Sequence, residues 1–266
     1  MSMFVTIIND CNSANDFGRQ ATRIFRLFGR IPVITVSIEF GGTYAAAGNL
    51  IDMLDASDGQ KGAILVNAAP RHGQGKEWPN GTPFGYFYYK DTLIISTVDG
   101  YCLSLAKKFG LLKKVFITDV PTVVDAMIKQ RNLDAKLYDL IVKSQFRSFD
   151  YMPRLAKWLI DGINVPNEKY PVSNIADIPK SIWLVDGFGN CKTTILPQEV
   201  RHTPGKTIKT KIGNLMCYER LKDVPDGKLG LIIGSSGFGL KRLLEIVVQG
   251  KSAAQRFKLT VGSEIF

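Results

Sequence analysis

Apolar runs alternate with amphipathic stretches through the first quarter of the chain. The runs MFVTIIND, IPVITVSIEF and GAILVNAA are strongly apolar and end in polar or small residues, which is typical of buried strands. Between them, DFGRQATRIFRLFG has apolar residues at helical spacing, and TYAAAGNLIDMLDAS is typical of a helix rich in small residues. This alternation predicts an α/β domain with a mostly parallel sheet and flanking helices.

The pattern changes after residue 162. INVPNEKYPVSNIADIPK has three prolines and no clear period, and short apolar runs separated by glycine and proline turns follow it. Such runs are typical of a small all-β barrel or sandwich. We therefore predict an α/β domain over residues 1–162, a linker over 163–180 and a small C-terminal all-β barrel domain over 181–266.

Composition narrows the class of protein. Hydrophobic residues make up 45% of the chain and charged residues 22%, which is close to the average for a soluble globular protein. The apolar start Met1–Ile8 has no basic region before it, so it predicts a strand and not a signal peptide. The four cysteines form no C-x-x-C pair, which makes a zinc site or a disulfide framework a poor expectation and favours the cytoplasm.

The net charge of +10 raises the question of nucleic-acid binding. The lysine groups 107–108, 113–114 and 206–211 are dispersed and are not interleaved with aromatic residues. We therefore expect solvated charges and no nucleic-acid partner, although a positive field would attract anionic ligands.

The loop after the third strand, ILVNAAPRHGQGKEWPNG, is rich in chemistry-bearing side chains. Ligands of parallel sheets bind beyond the carboxyl ends of the strands, where Asp10 and Asn67 both lie. Arg71 and His72 follow closely enough to reach the same place, and histidine is the usual base near neutral pH. The alternative is a glycine-rich connection that exposes both side chains to solvent.

Two glycine-rich turns in the second domain carry further candidates. DGFGN (186–190) combines an acid, an aromatic ring and an amide, which suits an amine and an adenine ring. GSSGFG (234–239) offers hydroxyl and N–H groups that suit a carboxylate or a phosphate. Taken alone, each is more simply an ordinary turn, and neither matches a dinucleotide or P-loop motif.

The combination INDCNSAND, VDGFGNCKTTI and IIGSSGFGLKRLLEIVVQGKSAAQRFKLTVG, in this order, resembles the S-adenosylmethionine hydroxide adenosyltransferases and the related fluorinases and chlorinases. The resemblance implies an α/β domain joined to a small β-barrel, in homotrimers that bind the nucleoside between subunits. It implies that Asp10 binds both ribose hydroxyls and that Asp186 faces the methionine amino group. The other implied contacts are Phe188 and Asn190 to adenine, Ser235 and Ser236 to the methionine carboxylate, and Phe238, Val248, Gln249 and Gly250 in the remaining substrate-binding stretch.

The chain departs from the water-activating residues of the hydroxide-transferring members, which are an aspartate, an arginine and a histidine. Asn67 stands at the aspartate position and Gln74 at the arginine spacing. The later segment SQFRSFDYMP has no histidine, and Ser144, Phe146, Arg147 and Ser148 compete for its register. An asparagine amide cannot act as a base for water.

Three functions follow as expectations. The first is cleavage of S-adenosylmethionine by substitution at C5′, with water as acceptor and with Asn67, Arg71 and His72 as catalytic candidates. The second is a binding protein for S-adenosylmethionine or adenosine that has little or no catalytic activity. The third is transfer to a halide, which needs no base. No metal or separate cofactor is expected, and the partners are a nucleoside substrate and further copies of the chain.

Overall fold

The structure, a computed structural model, describes residues 3–68 and 81–266. Over these residues the chain forms a first sheet of seven strands in the order β2-β1-β3-β5-β4-β6-β7. Its strands are β1 (Phe4–Asn9), β2 (Val33–Ser37), β3 (Gly62–Asn67), β4 (Phe84–Tyr89), β5 (Thr92–Thr97), β6 (Val115–Thr118) and β7 (Glu168–Tyr170). The strands from β2 to β5 in this order are parallel, and the pairings of β4, β6 and β7 are antiparallel.

The α/β class is confirmed, and the sheet is mixed because β4 pairs with β5 as an antiparallel hairpin. Helices cover both faces of the sheet and bury two apolar clusters against it. They are α1 (Ala14–Phe28), α2 (Thr43–Ser57), α3 (Ser104–Lys108), α4 (Val120–Lys129), α5 (Tyr138–Val142), α6 (Arg147–Asp150) and α7 (Met152–Ile160). Helix α1 begins at Ala14, two residues before the predicted segment, because Ser13 and Asp16 form a reciprocal capping box.

The second domain is built on a six-stranded sheet with the order β10-β11-β12-β13-β9-β8 in the described residues. Its elements are β8 (Ile182–Val185), β9 (Cys191–Thr193), β10 (Thr207–Thr210), β11 (Gly213–Cys217), β12 (Leu229–Phe238), β13 (Lys241–Val248) and the short helix α8 (Ala253–Phe257). No described pairing joins β10 to β8, so the sheet is not closed into a barrel by hydrogen bonds. The all-β sheet is as predicted, and its description as a barrel is corrected.

The two predicted domains pack directly against each other along α2. Trp183 of β8 is buried and lies so close to Gly48 that a methyl group there would meet the indole carbons at 2.0 Å. The predicted linker contributes β7, which pairs with β6 of the first sheet. The division at residues 162 and 181 stays a prediction.

Two further observations bear on class. None of the helices in the described part of the chain has the length and apolar character needed to cross a membrane. In the same residues, histidine, cysteine, aspartate and glutamate form no group of three or more that could hold a metal ion.

Candidate functional site

The carboxyl ends of β1 and β3 bring three polar side chains together. Asn9 and Asn67 are paired residues of the two parallel strands, and Asp10 follows Asn9 directly. The Asn67 side-chain amide donates to Asp10 Oδ1 at 3.1 Å and to Asn9 Oδ1 at 2.8 Å. The backbone N–H of Asp10 donates to the Asn67 carbonyl oxygen at 3.0 Å. Strand register therefore holds Asn67 against Asp10 at the sheet edge where ligands of such folds bind.

The loop before α2 also holds the Asp10 carboxylate. The backbone N–H of Gly41 donates to Asp10 Oδ2 at 3.3 Å, so each carboxylate oxygen accepts a hydrogen bond from a different element. The oxygen of the neighbouring Asn9 side chain accepts a second bond, from the Cys11 N–H at 3.0 Å. Asp10 is thus oriented by the protein before any ligand binds.

The amide at position 67 sets the electrostatics of this edge. An aspartate here would bring a second carboxylate within hydrogen-bond distance of Asp10, and repulsion would raise the pKa of one of the two. Asn67 donates a hydrogen bond and carries no charge, so it positions Asp10 but cannot serve as a general base. The other two catalytic candidates, Arg71 and His72, lie outside the described residues, as does Gln74.

A cavity of about 340 Å³ opens further along the same edge of the sheet. Thr118 and Asp119 line it at the end of β6, which runs in the same direction as β5. Arg147, at the start of α6, also lines it, and its guanidinium lies 5.4 Å from the centroid of the Phe84 ring. Burial lowers the pKa of Arg147.

Of the residues competing for the SQFRSFDYMP register, the structure places Arg147 in the cavity wall. Ser148 is buried, and the Ser144 hydroxyl donates to Asp150 at 2.5 Å. Phe146 stacks on the ring of Phe149, with 5.6 Å between ring centroids. Arg147 is therefore the residue of this segment that could act on a ligand at the sheet edge, because an arginine stays cationic at neutral pH.

In the second domain, DGFGN forms the turn of the β8–β9 hairpin and is closed by its own aspartate. Asp186 Oδ1 accepts from the backbone N–H groups of Phe188 and Asn190, both at 2.9 Å. Asp186 Oδ2 accepts from the Asn190 side-chain amide at 3.1 Å. The Phe188 ring is 83% exposed. The acid and the amide thus build the turn, and the aromatic ring projects from it.

Ser236 and the next residue bind a carboxylate that belongs to the first domain. The Ser236 hydroxyl donates to Asp52 Oδ2 at 2.8 Å, and the backbone N–H of Gly237 donates to Asp52 Oδ1 at 3.1 Å. Burial raises the pKa of Asp52, and these two hydrogen bonds and Lys192 oppose the rise. The stretch that the resemblance assigns to a substrate carboxylate thus already holds one from α2.

Lys192 connects the serines to the rest of this face. Its ammonium donates to Ser236 Oγ at 2.9 Å and to Ser235 Oγ at 3.5 Å, and it lies 5.8 Å from the centroid of the Trp183 ring. Its pairing partner on β13 is Glu245, a buried carboxylate whose pKa burial raises. The sequence interpretation missed Lys192 and Asp52. For Lys192 the available signal was its alternation with the two buried neighbours in CKT.

The remaining predicted contacts lie in structural positions. Phe238 packs edge-on against Tyr89, with 5.1 Å between ring centroids, and so joins the two domains. Val248 is buried in the core of the second sheet. The Gln249 N–H donates to the Lys228 carbonyl at 3.1 Å, and its own carbonyl accepts from a neighbouring N–H. Gly250 is exposed at the following turn.

Within one chain, the residues around Asp10 lie apart from the predicted site residues Asp186, Ser235 and Ser236. Asp10 meets α2 just before its first turn, through Gly41, whereas Ser236 meets it at Asp52. At 1.5 Å per residue, the start of α2 and Asp52 are about 14 Å apart along the helix. No hydrogen bond between described residues links the Asp10 group to Asp186, Ser235 or Ser236.

Comparison with known proteins gives one family match. Residues 180–266 match the model described as the SAM hydroxide adenosyltransferase C-terminal domain, so the resemblance drawn from the sequence is confirmed for this third of the chain. No curated protein matches the chain.

Two solved structures share the whole fold. An uncharacterized conserved protein from Thermotoga maritima has a TM-score of 0.69 at 17% identity, with 98% of each chain covered. A conserved hypothetical protein from Thermus thermophilus has a TM-score of 0.63 at 17% identity, with 100% of each chain covered. At this identity the likeness shows the fold alone.

Proposed function

We propose, from the premise that residues 180–266 carry the C-terminal domain of the SAM hydroxide adenosyltransferase family, that this protein binds S-adenosylmethionine and catalyses attack of water at C5′. The C5′–O bond forms as the C5′–S bond breaks, and methionine leaves as a neutral thioether. The water gives up one proton, so the products are adenosine, methionine and H⁺. The observation that carries the proposal is the Asp10 carboxylate, held at the sheet edge by Asn67 and Gly41.

Asp10 is the proposed ribose ligand. A carboxylate accepts two hydrogen bonds from a vicinal diol, and the contacts from Asn67 and Gly41 fix the direction in which its oxygens point. Because this orientation is set in advance, binding of the ribose loses little side-chain entropy. No metal or separate cofactor is part of the proposal.

The methionine end of the substrate is proposed to bind near Lys192. Ser236 already donates its hydroxyl to Asp52, so the substrate carboxylate falls to Ser235 and to the Lys192 ammonium. A charge-assisted hydrogen bond from an ammonium is about twice as strong as a neutral one. Asp186 is the proposed partner of the amino group, and Phe188, Asn190 and the stretch from Phe238 to Gly250 stay as proposed nucleoside contacts.

The attacking water has no base at position 67, although the carboxylates of Asp119 and Glu168 line the neighbouring cavity. Asn67 is neutral, and the cation of Arg147 lines the neighbouring cavity, where a positive charge would favour hydroxide over water. Arg71 and His72 stay candidates for this step. We therefore expect slow turnover in comparison with an enzyme that has a carboxylate at position 67.

A second candidate function is binding of S-adenosylmethionine or adenosine without turnover. It is favoured by the hydrogen bond from Asn67 to Asp10. Residue 67 thereby supports the proposed ribose ligand Asp10 and supplies no base. Transfer to a halide would also tolerate this amide, and it is kept as one arm of the test.

We also propose a homotrimer in which each site lies between the first domain of one copy and the second domain of the next. The separation of Asp10 from Ser235 along α2 supports this arrangement, because one chain does not join them. An exposed aromatic ring lies beside each part of the proposed site. Phe40, next to Gly41, is 59% exposed, and Phe188, in the turn of Asp186, is 83% exposed.

The test is incubation of the purified protein with S-adenosylmethionine, with and without chloride or fluoride, followed by chromatography of the products. Adenosine and methionine in equal amounts are expected. Asp10→Ala should lose nucleoside binding measured by calorimetry. Asp226→Asn, which changes an exposed aspartate in a loop of the second domain, is the matched control and should bind normally.

Different outcomes separate the candidates. Detection of a halogenated adenosine would indicate that halide, and not water, is the acceptor. Stoichiometric binding with no product over a long incubation would support the binding protein and contradict the enzyme. Unchanged nucleoside affinity in Asp10→Ala would contradict both, because both place the ribose on Asp10.

A further inference from the structure

A groove of about 470 Å³ lies on the outer side of α1, away from the residues proposed to bind S-adenosylmethionine. Arg19, Arg23 and Arg26 line it from one face of α1, at spacings of four and three residues. Phe149 of α6 lines it from the other side. The described residues thus place three guanidinium groups around one opening.

The aromatic rings of the α6 segment order two of these guanidinium groups. Arg19 lies 4.4 Å from the Phe149 ring centroid and 5.0 Å from that of Phe146, and Arg23 lies 4.2 Å from that of Phe149. Stacking on a ring face leaves the N–H groups at the guanidinium edge available for hydrogen bonds. The arginines are therefore arranged in advance along the groove.

Positive charge exceeds negative charge around this groove. Arg23 lies 3.6 Å from Asp150, but Asp150 also accepts a hydrogen bond from Ser144. No described carboxylate forms an ion pair with Arg19 or Arg26. Arg154, buried behind the groove, donates to the Asp150 carbonyl, and burial together with repulsion from Arg23 lowers the pKa of Arg154 to about 10.

One donor of this cluster has no partner. Arg23 Nη1 is buried and makes no hydrogen bond to any group in the described structure. A buried donor of a charged group is costly to leave unsatisfied, so such groups usually have a partner. Arg23 thus has unused hydrogen-bonding capacity, and the excess charge and the open groove favour an anion with several acceptor oxygens.

We propose that the groove binds a phosphate-type anion, and that a chain of phosphates fits better than a single phosphate. Arg19 and Arg26 are seven residues apart, or roughly 10 Å along the helix, so a chain of phosphates can extend along the three arginines. One guanidinium group can donate two parallel hydrogen bonds to the oxygens of a phosphate. The chain of phosphates is either free polyphosphate or the phosphate tail of a nucleotide.

The test is calorimetric titration of the full chain with inorganic triphosphate at low salt, with orthophosphate and adenosine triphosphate as further arms. Triphosphate is expected to bind at least about ten-fold more tightly than orthophosphate, and the double variant Arg19→Ala, Arg26→Ala should lose about ten-fold or more. Both side chains are exposed, so the variant should fold. Lys113→Ala, Lys114→Ala removes the same charge from an exposed loop and should bind like the wild type.

The arms also distinguish the sources of the anion. Adenosine triphosphate binding as tightly as inorganic triphosphate would indicate that the groove reads phosphates alone, and tighter binding would indicate a nucleotide. Equal losses in the two double variants would contradict a site, because the net charge alone would then explain the attraction. Absence of triphosphate binding, or a short oligonucleotide binding far more tightly than triphosphate, would also overturn the proposal.

Discussion

At the scale of single residues, Asn67 decides what the sheet edge can do. The resemblance implies an aspartate at this position, and Asn67 donates a hydrogen bond where a carboxylate would accept one. Compared with an aspartate, the asparagine supports Asp10 by a hydrogen bond and supplies no base. The two effects can be separated by substitution at this one position.

Asn67→Asp is expected to accelerate adenosine formation by about ten-fold or more, since a positioned base contributes about 10²–10⁴. The new carboxylate faces Asp10, so the pKa of one of them rises, and the added rate is lost as the pH falls through that raised pKa. The measurement is the rate of adenosine release between pH 5 and 9. Asn67→Ala, which removes the amide without adding a base, is the control, and equal rates in the two variants would contradict this reasoning.

At the scale of elements, the sequence predicts most of the first domain because its signals are local. Apolar runs give β1, β2 and β3, and apolar residues at helical spacing give α1. Pairing between distant strands is contained in no local pattern, and the predictions needed correction there. The antiparallel pairings of β6 with β4 and with β7, and the open edge between β10 and β8, are of this kind.

The candidate site follows the same division. Asp10 and Asn67 could be placed from the sequence because parallel strands end at one edge. Asp52 could not, because it lies 184 residues from Ser236 and only the packing of α2 on β12 brings the two together. For DGFGN, the simpler interpretation was an ordinary turn. The hydrogen bonds that Asp186 accepts within that turn agree with this interpretation.

Helix α2 owes its close approach to the second domain to one glycine. Gly48→Ala would place a methyl group 2.0 Å from the Trp183 ring, so the variant is expected to lose about 1–3 kcal/mol of unfolding free energy although alanine favours helix. Gly18→Ala in α1 is the matched control, since nothing lies within 4 Å of its new methyl group. That variant should gain about 0.5–1 kcal/mol. Chemical denaturation measures both, and equal effects would contradict the packing argument.

At the scale of the whole molecule, the contact of Asp52 with Ser236 and Gly237 ties the two predicted domains together. Because burial raises the pKa of Asp52, this carboxyl binds a proton more readily in the folded chain than in the unfolded chain. Its contribution to stability is therefore full below its ordinary pKa of 3.8 and is lost as the pH rises through the raised value.

Asp52→Asn should remove this dependence. The wild type is expected to gain stability relative to Asp52→Asn as the pH is lowered from 7 to 4, measured as the difference in melting temperature between the two proteins. Asp226→Asn, at an exposed loop position, should follow the wild type at every pH. A constant difference between wild type and Asp52→Asn would show that Asp52 does not titrate differently on folding.

The proposed assembly gives a test at the same scale. If sites form between copies, an Asp10→Ala chain and a Lys192→Ala chain, each impaired alone, should regain part of the S-adenosylmethionine binding when they are unfolded and refolded together. In a trimer that contains both kinds of chain, one interface carries both substitutions. Another interface then carries neither substitution, and its site is intact. No recovery in the mixed sample, with trimers present by sedimentation, would place each site within a single chain.

The short helix α6 separates two sets of side chains that natural variation can alter independently. Arg147 lines the cavity at the sheet edge, and Phe149, two residues later, lines the arginine groove on α1. Residues two apart on a helix do not face each other. A lineage could thus lose or exchange the groove's ligand by replacing Phe149 while Arg147 stays under selection for the sheet edge, so the two sites need not share an evolutionary history.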